Sequence, residues 1–162
     1  MNIRARFKEI MKEMYQPKPI ATYLLGRIAD IISTYLCVEK YSPAIELNAV
    51  VRNLFYELGA ENAVVAWFNF SLLPIPAFYT YSKIVEKLIH KLKTKSKKIW
   101  KELYNAFLYS YSAASFYCSI NNLLIYFNLS HIPGEYTQIF DAIGGILSSL
   151  PYLYRIVKKL KS

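Results

Sequence analysis

Two oppositely charged residues inside an apolar segment are the residues of this sequence best suited to chemistry. Arg27 and Asp30 lie within residues 20–38, a segment that is otherwise apolar and long enough to cross a lipid bilayer. Because they are three positions apart on a helix, they share nearly the same face and can form an ion pair. Charges at such a depth are rare, usually face a protein interior and indicate a functional site. The segment also carries Thr34, and we predict a buried polar site here.

Three further polar residues follow this segment and are predicted to close the site from above. Ser42 and Pro43 form a helix start and Gly59 a helix stop, so residues 43–58 are predicted to be helical. The apolar arc of this helix suits the outer membrane surface or a re-entrant position over the spans. The polar residues that border the arc are Glu46, Asn48 and Arg52.

The apolar residues of the chain are gathered into four long blocks. Hydrophobic residues make up 54% of the 162 positions and aromatic residues 16%, with a mean hydropathy of +0.18. Uninterrupted blocks of about twenty apolar residues are typical of membrane-spanning helices. The predicted fold is therefore an all-α integral membrane four-helix bundle, formed by one transmembrane domain. Its spans are residues 20–38, 60–81, 104–129 and 136–157.

The distribution of charge predicts the orientation of this bundle. The chain carries a net charge of +9, and its basic residues precede the first span, fill residues 82–103 and follow the fourth span. The other two connections are mainly acidic. This asymmetry follows the positive-inside rule, and it predicts a multi-pass cell-membrane protein with both termini in the cytoplasm. The same placement argues against a nucleic acid as the partner of the basic residues.

The N-terminal segment, residues 1–16, is predicted to form an amphipathic helix at the inner face. Its apolar stripe is surrounded by basic and acidic residues, a pattern typical of helices that lie in the headgroup layer. Together with the basic loop, it predicts contact with anionic headgroups at the inner face. The stripe consists of Ile3, Phe7, Ile10 and Met14.

Polar residues of all four spans are predicted to reach one layer. With a helical rise of about 1.5 Å per residue, Asp30 lies roughly 12 Å and Asn69 roughly 13 Å below the predicted outer ends of their spans. By the same rise, Asn121 and Asn122 lie roughly 11–12 Å down and Asp141 roughly 8 Å. We therefore predict a polar layer in the outer half of the membrane. Its alternative role is to hold the bundle together through interhelical hydrogen bonds, which contribute about 0.6 kcal/mol each.

Small residues at helical spacing predict close helix packing in the last two spans. Such strips let membrane helices approach closely, and they favour association with other membrane subunits or with a second copy of the chain. The residues concerned are Ala106, Ser110, Ala114 and Cys118 in the third span, and Gly144 and Gly145 in the fourth.

The sequence offers little support for a catalytic function, and we predict no cofactor or metal site. His90 and His131 fall in opposite connections, so they cannot together hold a haem within the membrane. No cysteine and histidine spacing fits a metal, and no phosphate loop or nucleophile elbow is present. Asp30 and Asp141 could form an aspartyl dyad, but the adjacent Arg27 favours the ionised form of Asp30.

Four of these polar residues also resemble a known pattern. Asp30 and Thr34 give Asp-x-x-x-Thr in the first span, and Glu46 and Asn48 give Glu-x-Asn after it. This resembles a family of small polytopic prokaryotic membrane proteins of unknown function, in which the second motif continues with proline; Ala49 occupies that position here. The resemblance covers about the first third of the chain. It implies a membrane protein of this size with a shared polar site, and it supplies no activity.

Three functions therefore remain open from the sequence. The first is a non-catalytic subunit or assembly partner of a larger membrane complex. The second is a unit that binds or transports an ion, a proton or a small polar solute through the polar layer. The third is a membrane-embedded lipid-modifying enzyme, for which the sequence offers no nucleophile.

Overall fold

The computed structural model describes residues 3–91, 99–129 and 134–161, which are almost entirely helical and include no strand. The all-α class predicted from the sequence is confirmed for these residues. The short segment Pro43–Ile45 forms a 3₁₀ helix. The α-helices are α1 Ile3–Met14, α2 Pro17–Lys40, α3 Ala49–Leu58, α4 Ala60–Leu72, α5 Pro74–Lys91, α6 Ile99–Tyr126 and α7 Gly134–Lys161.

Helix α6 is the centre of the bundle and packs along both α2 and α7. Gly26 of α2 allows a close approach, because a Cβ there would lie 3.0 Å from the carbonyl oxygen of Ser112. The Ser112 hydroxyl in turn donates to the carbonyl of Thr22 at 2.8 Å. On the other side of α6, the Ser110 hydroxyl donates to the carbonyl of Gly145 at 2.8 Å. Small side chains thus bring the backbones of three helices together.

A cluster of large side chains joins α2, α5 and α6 next to the N-terminal helix. The hydroxyl of Tyr79 donates to Glu13 of α1 at 2.7 Å, and the Lys83 ammonium lies 2.8 Å from the same carboxylate oxygen. Helix α1 is therefore attached through Glu13, while Ile3 and Phe7 on its apolar stripe are exposed. Its place in the inner headgroup layer stays a prediction. The buried members of the cluster are Tyr23, Tyr79, Trp100, Tyr104 and Leu108.

The helix that covers the predicted second span, residues 60–81, is interrupted at Leu73 between α4 and α5. Pro74 has no N–H to donate, so the carbonyl of Phe70 accepts from the N–H of Leu73 at 3.1 Å instead. The hydroxyl of Tyr23 on α2 donates to the neighbouring carbonyl of Ser71. The second helix is therefore broken before Pro74, and the break is hydrogen-bonded to α2 through Tyr23.

The predicted helix over residues 43–58 begins later than expected. Ser42 does cap a helix, since its side chain accepts from the N–H of Ala44 at 3.2 Å, but that helix is only the 3₁₀ turn Pro43–Ile45. The α-helix begins at Ala49, because the Asn48 side chain accepts from the N–H groups of Val50 and Val51. Glu46 and Asn48 therefore lie in an extended connection and not, as the sequence had predicted, on the face of a helix.

Among the residues that the structure describes, two helices are long and apolar enough to cross a membrane: Pro17–Lys40, and Ala60–His90 taken across the break. They include the predicted spans at residues 20–38 and 60–81. The spans predicted at residues 104–129 and 136–157 coincide largely with α6 and α7, and their crossing of a membrane stays a prediction, as does the orientation of the termini. Within the predicted basic loop, residues 82–103, α5 continues to Lys91 and α6 begins at Ile99, and residues 92–98 lie outside the described part.

Candidate polar binding cavity

A cavity of about 500 Å³ lies between α2, α4, α6 and the connection that precedes α3. Helices α2 and α6 supply most of its polar groups, and the extended segment around Glu46 borders it. This volume falls in the range of small-molecule sites, roughly 300–1,000 Å³. Seven residues of the site predicted from the sequence line it: Arg27, Asp30, Thr34, Glu46, Asn48, Asn121 and Asn122.

An ion pair between Arg27 and Asp30 lies at one end of the cavity. Both residues are only 7% exposed, and Nη1 of Arg27 lies 2.7 Å from Oδ2 of Asp30. The same Nη1 donates to the hydroxyl of Ser115 on α6 at 3.2 Å. The guanidinium also lies over two rings, with its central carbon 5.3 Å from the centre of the Trp67 ring and 5.5 Å from that of Tyr111. These contacts hold the cation on one side and orient it.

One edge of the Arg27 guanidinium has no such partner. Its Nε is buried and finds no hydrogen-bond acceptor within residues 3–91, 99–129 and 134–161. A buried donor without an acceptor costs about 1–3 kcal/mol, and more for a charged group. Arg27 also lines the cavity, so its guanidinium can meet a bound molecule there, while Nε itself is enclosed by protein atoms.

Amide and hydroxyl groups line the middle of the cavity. Nδ2 of Asn122 donates to Oγ1 of Thr34 at 2.9 Å and to Oγ of Ser33 at 3.3 Å, which joins α6 to α2. The Cys37 thiol lies 3.0 Å from the carbonyl oxygen of Asn122 and reinforces this contact. Asn121 is buried and also borders the cavity. The polar groups are thus held in place by contacts between the two helices.

Glu46 forms the end of the cavity nearest to α3. Its Oε1 accepts from the N–H of Asn48 at 2.7 Å, and the Asn48 side chain in turn caps α3. Burial raises the pKa of the Glu46 carboxyl above its ordinary value of 4.5, while the Asn48 N–H, Arg52 and Arg27 act against that rise. Nη1 of Arg52 donates to the backbone carbonyl of Glu46 at 3.3 Å. The Glu-x-Asn pair therefore orients a partly buried carboxyl beside the cavity.

Two of the other predicted site residues are placed differently, and the side chain of a third is not described. Asn69 is exposed, and its amide donates to the carbonyl of Val65 on its own helix at 2.9 Å, so it does not line the cavity. Arg52 reaches the cavity only through the backbone of Glu46. Asp141 belongs to α7, and its side chain lies outside the part of the structure that is described.

The predicted packing residues divide between two roles. Ala106 is buried, and Ser110 and Gly145 meet where α6 packs on α7. A Cβ at Gly144 would meet no described atom within 4 Å, so Gly144 is not a close contact. Two members of the strip instead line the cavity wall: Ala114 and Cys118.

Three residues at the Arg27 end were not predicted from the sequence: Trp67, Tyr111 and Ser115. Arg27 itself could have predicted such residues, because an arginine within an apolar span needs hydrogen-bond acceptors and aromatic faces from neighbouring helices. Ser115 is adjacent in sequence to Ala114, which belongs to the predicted strip of small residues.

The arrangement is suited to binding. It presents fixed donors, acceptors and charges around a volume large enough for a small molecule. In the described ranges, no group of three His, Cys, Asp or Glu side chains could hold a metal ion.

These features define an all-helical protein with a polar cavity and two helices able to cross a membrane. Comparison of the chain with protein-family models, curated proteins and solved structures finds no match.

Proposed function

We propose that this chain is a multi-pass membrane protein that binds a small polar solute in the cavity beside Arg27 and Asp30. The observation that carries the proposal is the buried ion pair, which borders a cavity of about 500 Å³ and leaves Nε of Arg27 without an acceptor among the described residues. Transport of that solute across the membrane is an extension of the same proposal.

The distribution of polar and apolar side chains supports a membrane environment. Small polar residues are buried between the helices, while large apolar residues are exposed on α2, α4, α6 and α7. An exterior with many large exposed apolar side chains suits lipid better than water. The buried polar set includes Ser33, Thr34, Ser112, Ser115 and Ser119. The exposed apolar set includes Ile32, Val65, Ile120, Ile146 and Leu147.

The charge asymmetry of the connections supports four spans with both termini in the cytoplasm. In that orientation α2 runs outward from Pro17 to Lys40, so Glu46 and Asn48 lie at the outer side. The cavity then lies in the outer half of the bundle, with Arg27 at its inner end.

The cost of burying charge supports a binding role over a purely structural one. Placing a charge near the middle of a membrane costs about 2.5–3.5 kcal/mol even on the most lenient scale. Close packing of small, uncharged residues would join α2 to α6 without that cost, as the contact between Gly26 and Ser112 already does. The presence of both Arg27 and Asp30 at a cavity therefore supports a binding role.

Assembly with other membrane subunits, and lipid modification, stay predictions. Part of the support for assembly came from the small-residue strips, and several of those residues are engaged within the chain. Ser110 and Gly145 join α6 to α7, while Ala114 and Cys118 face the cavity.

Access of water-soluble reagents to Cys118 tests the proposal. The chain has two cysteines, so a Cys37→Ala variant leaves Cys118 as the single thiol, at the cavity wall. In sealed vesicles of known orientation, a membrane-impermeant thiol reagent should modify Cys118 from the outer side. Filling the cavity with Ala114→Phe should slow the modification at least about tenfold. Ile120→Phe, on an exposed face of the same helix, is the matched control and should leave the rate unchanged.

Two results would overturn the proposal. One is a Cys118 thiol that reacts only after denaturation. The other is equal modification in the Ala114→Phe and Ile120→Phe proteins, because the reagent would then reach Cys118 by a route other than the cavity.

A further inference from the structure

We infer that the ligand of this cavity is a zwitterion, with an anionic oxygen at Arg27 and an ammonium group at Glu46. The inference rests on the proposed function and adds the chemical class of the ligand. It follows from the opposite charges at the two ends of the cavity, from the sum of those charges and from the apolar surface between them.

The Arg27 end is built to receive an oxygen. Asp30 and Ser115 engage Nη1, while the buried Nε has no acceptor among the described residues. A guanidinium is complementary to the oxygens of a carboxylate or a phosphate, and Arg27 lines the cavity. Trp67 and Tyr111 contact the guanidinium, so its position is fixed before a ligand binds.

The Glu46 end is built to receive a cation. Asn48 fixes Oε1 through its backbone N–H, which orients the carboxyl at the cavity border. Arg52 contacts the backbone carbonyl of Glu46 and does not pair with the carboxylate in a salt bridge. An ammonium group is therefore the complementary partner at this end.

The charges of the cavity and its rim sum to zero. Arg27 and Arg52 are cationic, and Asp30 and Glu46 are formally anionic at neutral pH. A ligand with a net charge would leave one charge without a counter-charge in a partly buried site, which is costly. A ligand with one positive and one negative group satisfies both ends and keeps the sum at zero.

Apolar side chains complete the walls and suggest what the rest of the ligand is like. Ile45, Leu47 and Ile125 border the cavity beside the polar groups. They suit an apolar substituent on the zwitterion. A free amino acid with an aliphatic side chain has this chemistry, and so does the ethanolamine headgroup of a phospholipid with its acyl chains. The two sources share the ammonium and the anionic oxygen.

Calorimetric titration of the full-length protein in phosphatidylglycerol nanodiscs tests the inference with matched probes. L-leucine carries both charges, 4-methylpentanoate lacks the ammonium, and isoamylamine lacks the carboxylate. Glycerophosphoethanolamine carries both charges, and glycerophosphoglycerol lacks the ammonium. At least one zwitterion should bind about tenfold or more tightly than its singly charged relatives, the ratio expected for one charged hydrogen bond.

The two sources are separated by which zwitterion binds. Tight binding of leucine indicates a free solute. Binding of glycerophosphoethanolamine, with selective retention of phosphatidylethanolamine over phosphatidylglycerol by native mass spectrometry from mixed nanodiscs, indicates a lipid.

A single substitution tests the ammonium subsite. Glu46→Gln preserves the shape of the side chain and removes its charge, so it should weaken binding of the zwitterion about tenfold or more. It should leave binding of the singly charged acid unchanged or improved. Glu57→Gln, at an exposed position of α3, is the matched control and should leave both affinities unchanged.

The outcomes separate this inference from the function on which it rests. An amine, an acid or an uncharged solute such as glycerol could instead bind more tightly than the zwitterions, with binding abolished by Ala114→Phe. That result would overturn the inference that the ligand is a zwitterion, and the proposed binding function would still stand. Absence of binding by every zwitterion overturns the inference, and the reactivity of Cys118 then decides the binding function by itself.

Discussion

Replacing Asp30 by Asn is the sharpest test of why an ion pair is buried in this bundle. Asp30 and Arg27 are each 7% exposed and 2.7 Å apart, so the substitution leaves a buried guanidinium without its counter-charge. Removing one partner of a buried pair costs about 3–5 kcal/mol of unfolding free energy. Asn still offers an acceptor, and Ser115 and two aromatic rings still contact the guanidinium. We therefore expect a loss near the lower limit, about 3 kcal/mol.

A second variant separates stability from binding. Arg27→Met with Asp30→Leu removes both charges and fills similar volume, and such replacements of buried pairs are commonly neutral or stabilising. We expect this double variant to unfold within about 1 kcal/mol of the unchanged protein. Binding of the zwitterionic probe should nevertheless be lost, because the guanidinium that would donate hydrogen bonds to its anionic oxygen is absent.

Reversible unfolding in mixed detergent micelles, followed by circular dichroism, measures the stability of each variant, and calorimetry in nanodiscs measures binding. The reasoning is refuted if Asp30→Asn unfolds as the unchanged protein does, because the pair would then contribute nothing. It is refuted equally if the double variant remains stable and still binds the probe, since the pair would then have no part in the site.

Two further predictions concern Glu46 and the packing of α2 on α6. Because burial raises the pKa of Glu46 above 4.5, the folded protein retains a proton that the unfolded chain releases as the pH rises from 4.5 through the raised value. The ionised Glu46 therefore lowers the unfolding free energy more and more as the pH rises through that window. The unfolding free energy of Glu46→Gln in detergent should exceed that of the unchanged protein by an amount that grows over the window and then levels off. A difference between the two proteins that does not change with pH would contradict this. Gly26→Ala should cost about 1–3 kcal/mol, because the added Cβ would lie 3.0 Å from the backbone oxygen of Ser112. Gly144→Ala, with no described atom within 4 Å, should be neutral or stabilise by up to about 1 kcal/mol, and equal effects of the two alanines in the same assay would contradict the packing.

The main polar residues of the cavity could be identified from the sequence because their signal was local. Arg27 and Asp30 are three residues apart in an apolar segment, which is enough to predict a shared face and a pair. Asn121 and Asn122 were predicted from depth alone, and Asn122 does reach Thr34 of α2.

Other residues could not be placed because depth gives no direction around a helix. Asn69 has a suitable height on its helix, yet its side chain is exposed and bonds to Val65. The rotation of α4 is set by packing of Ala63 and its neighbours against α3, which no single segment reveals. Trp67 was missed for the same reason, since its contact with Arg27 depends on that rotation.

The start of α3 shows a second limit, which is competition between adjacent capping residues. Ser42 followed by Pro43 is a strong helix start, but it produces only a 3₁₀ turn before the chain extends again. Asn48 then caps the longer helix, and its own N–H holds the Glu46 carboxylate. Two valid caps lie within six residues, both are used, and the sequence alone does not say which one begins the longer helix.

The hydroxyl of Tyr23 has a mechanical consequence for the broken second helix. A proline break commonly lets the two helix segments bend relative to each other, since carbonyls near it have lost their backbone N–H donors. Here the carbonyl of Ser71 accepts from Tyr23, a completely buried side chain of α2. The joint between α4 and α5 is thereby locked to the helix that carries Arg27. Any movement of this joint must therefore take α2 with it, unless the hydrogen bond from the Tyr23 hydroxyl to Ser71 breaks first.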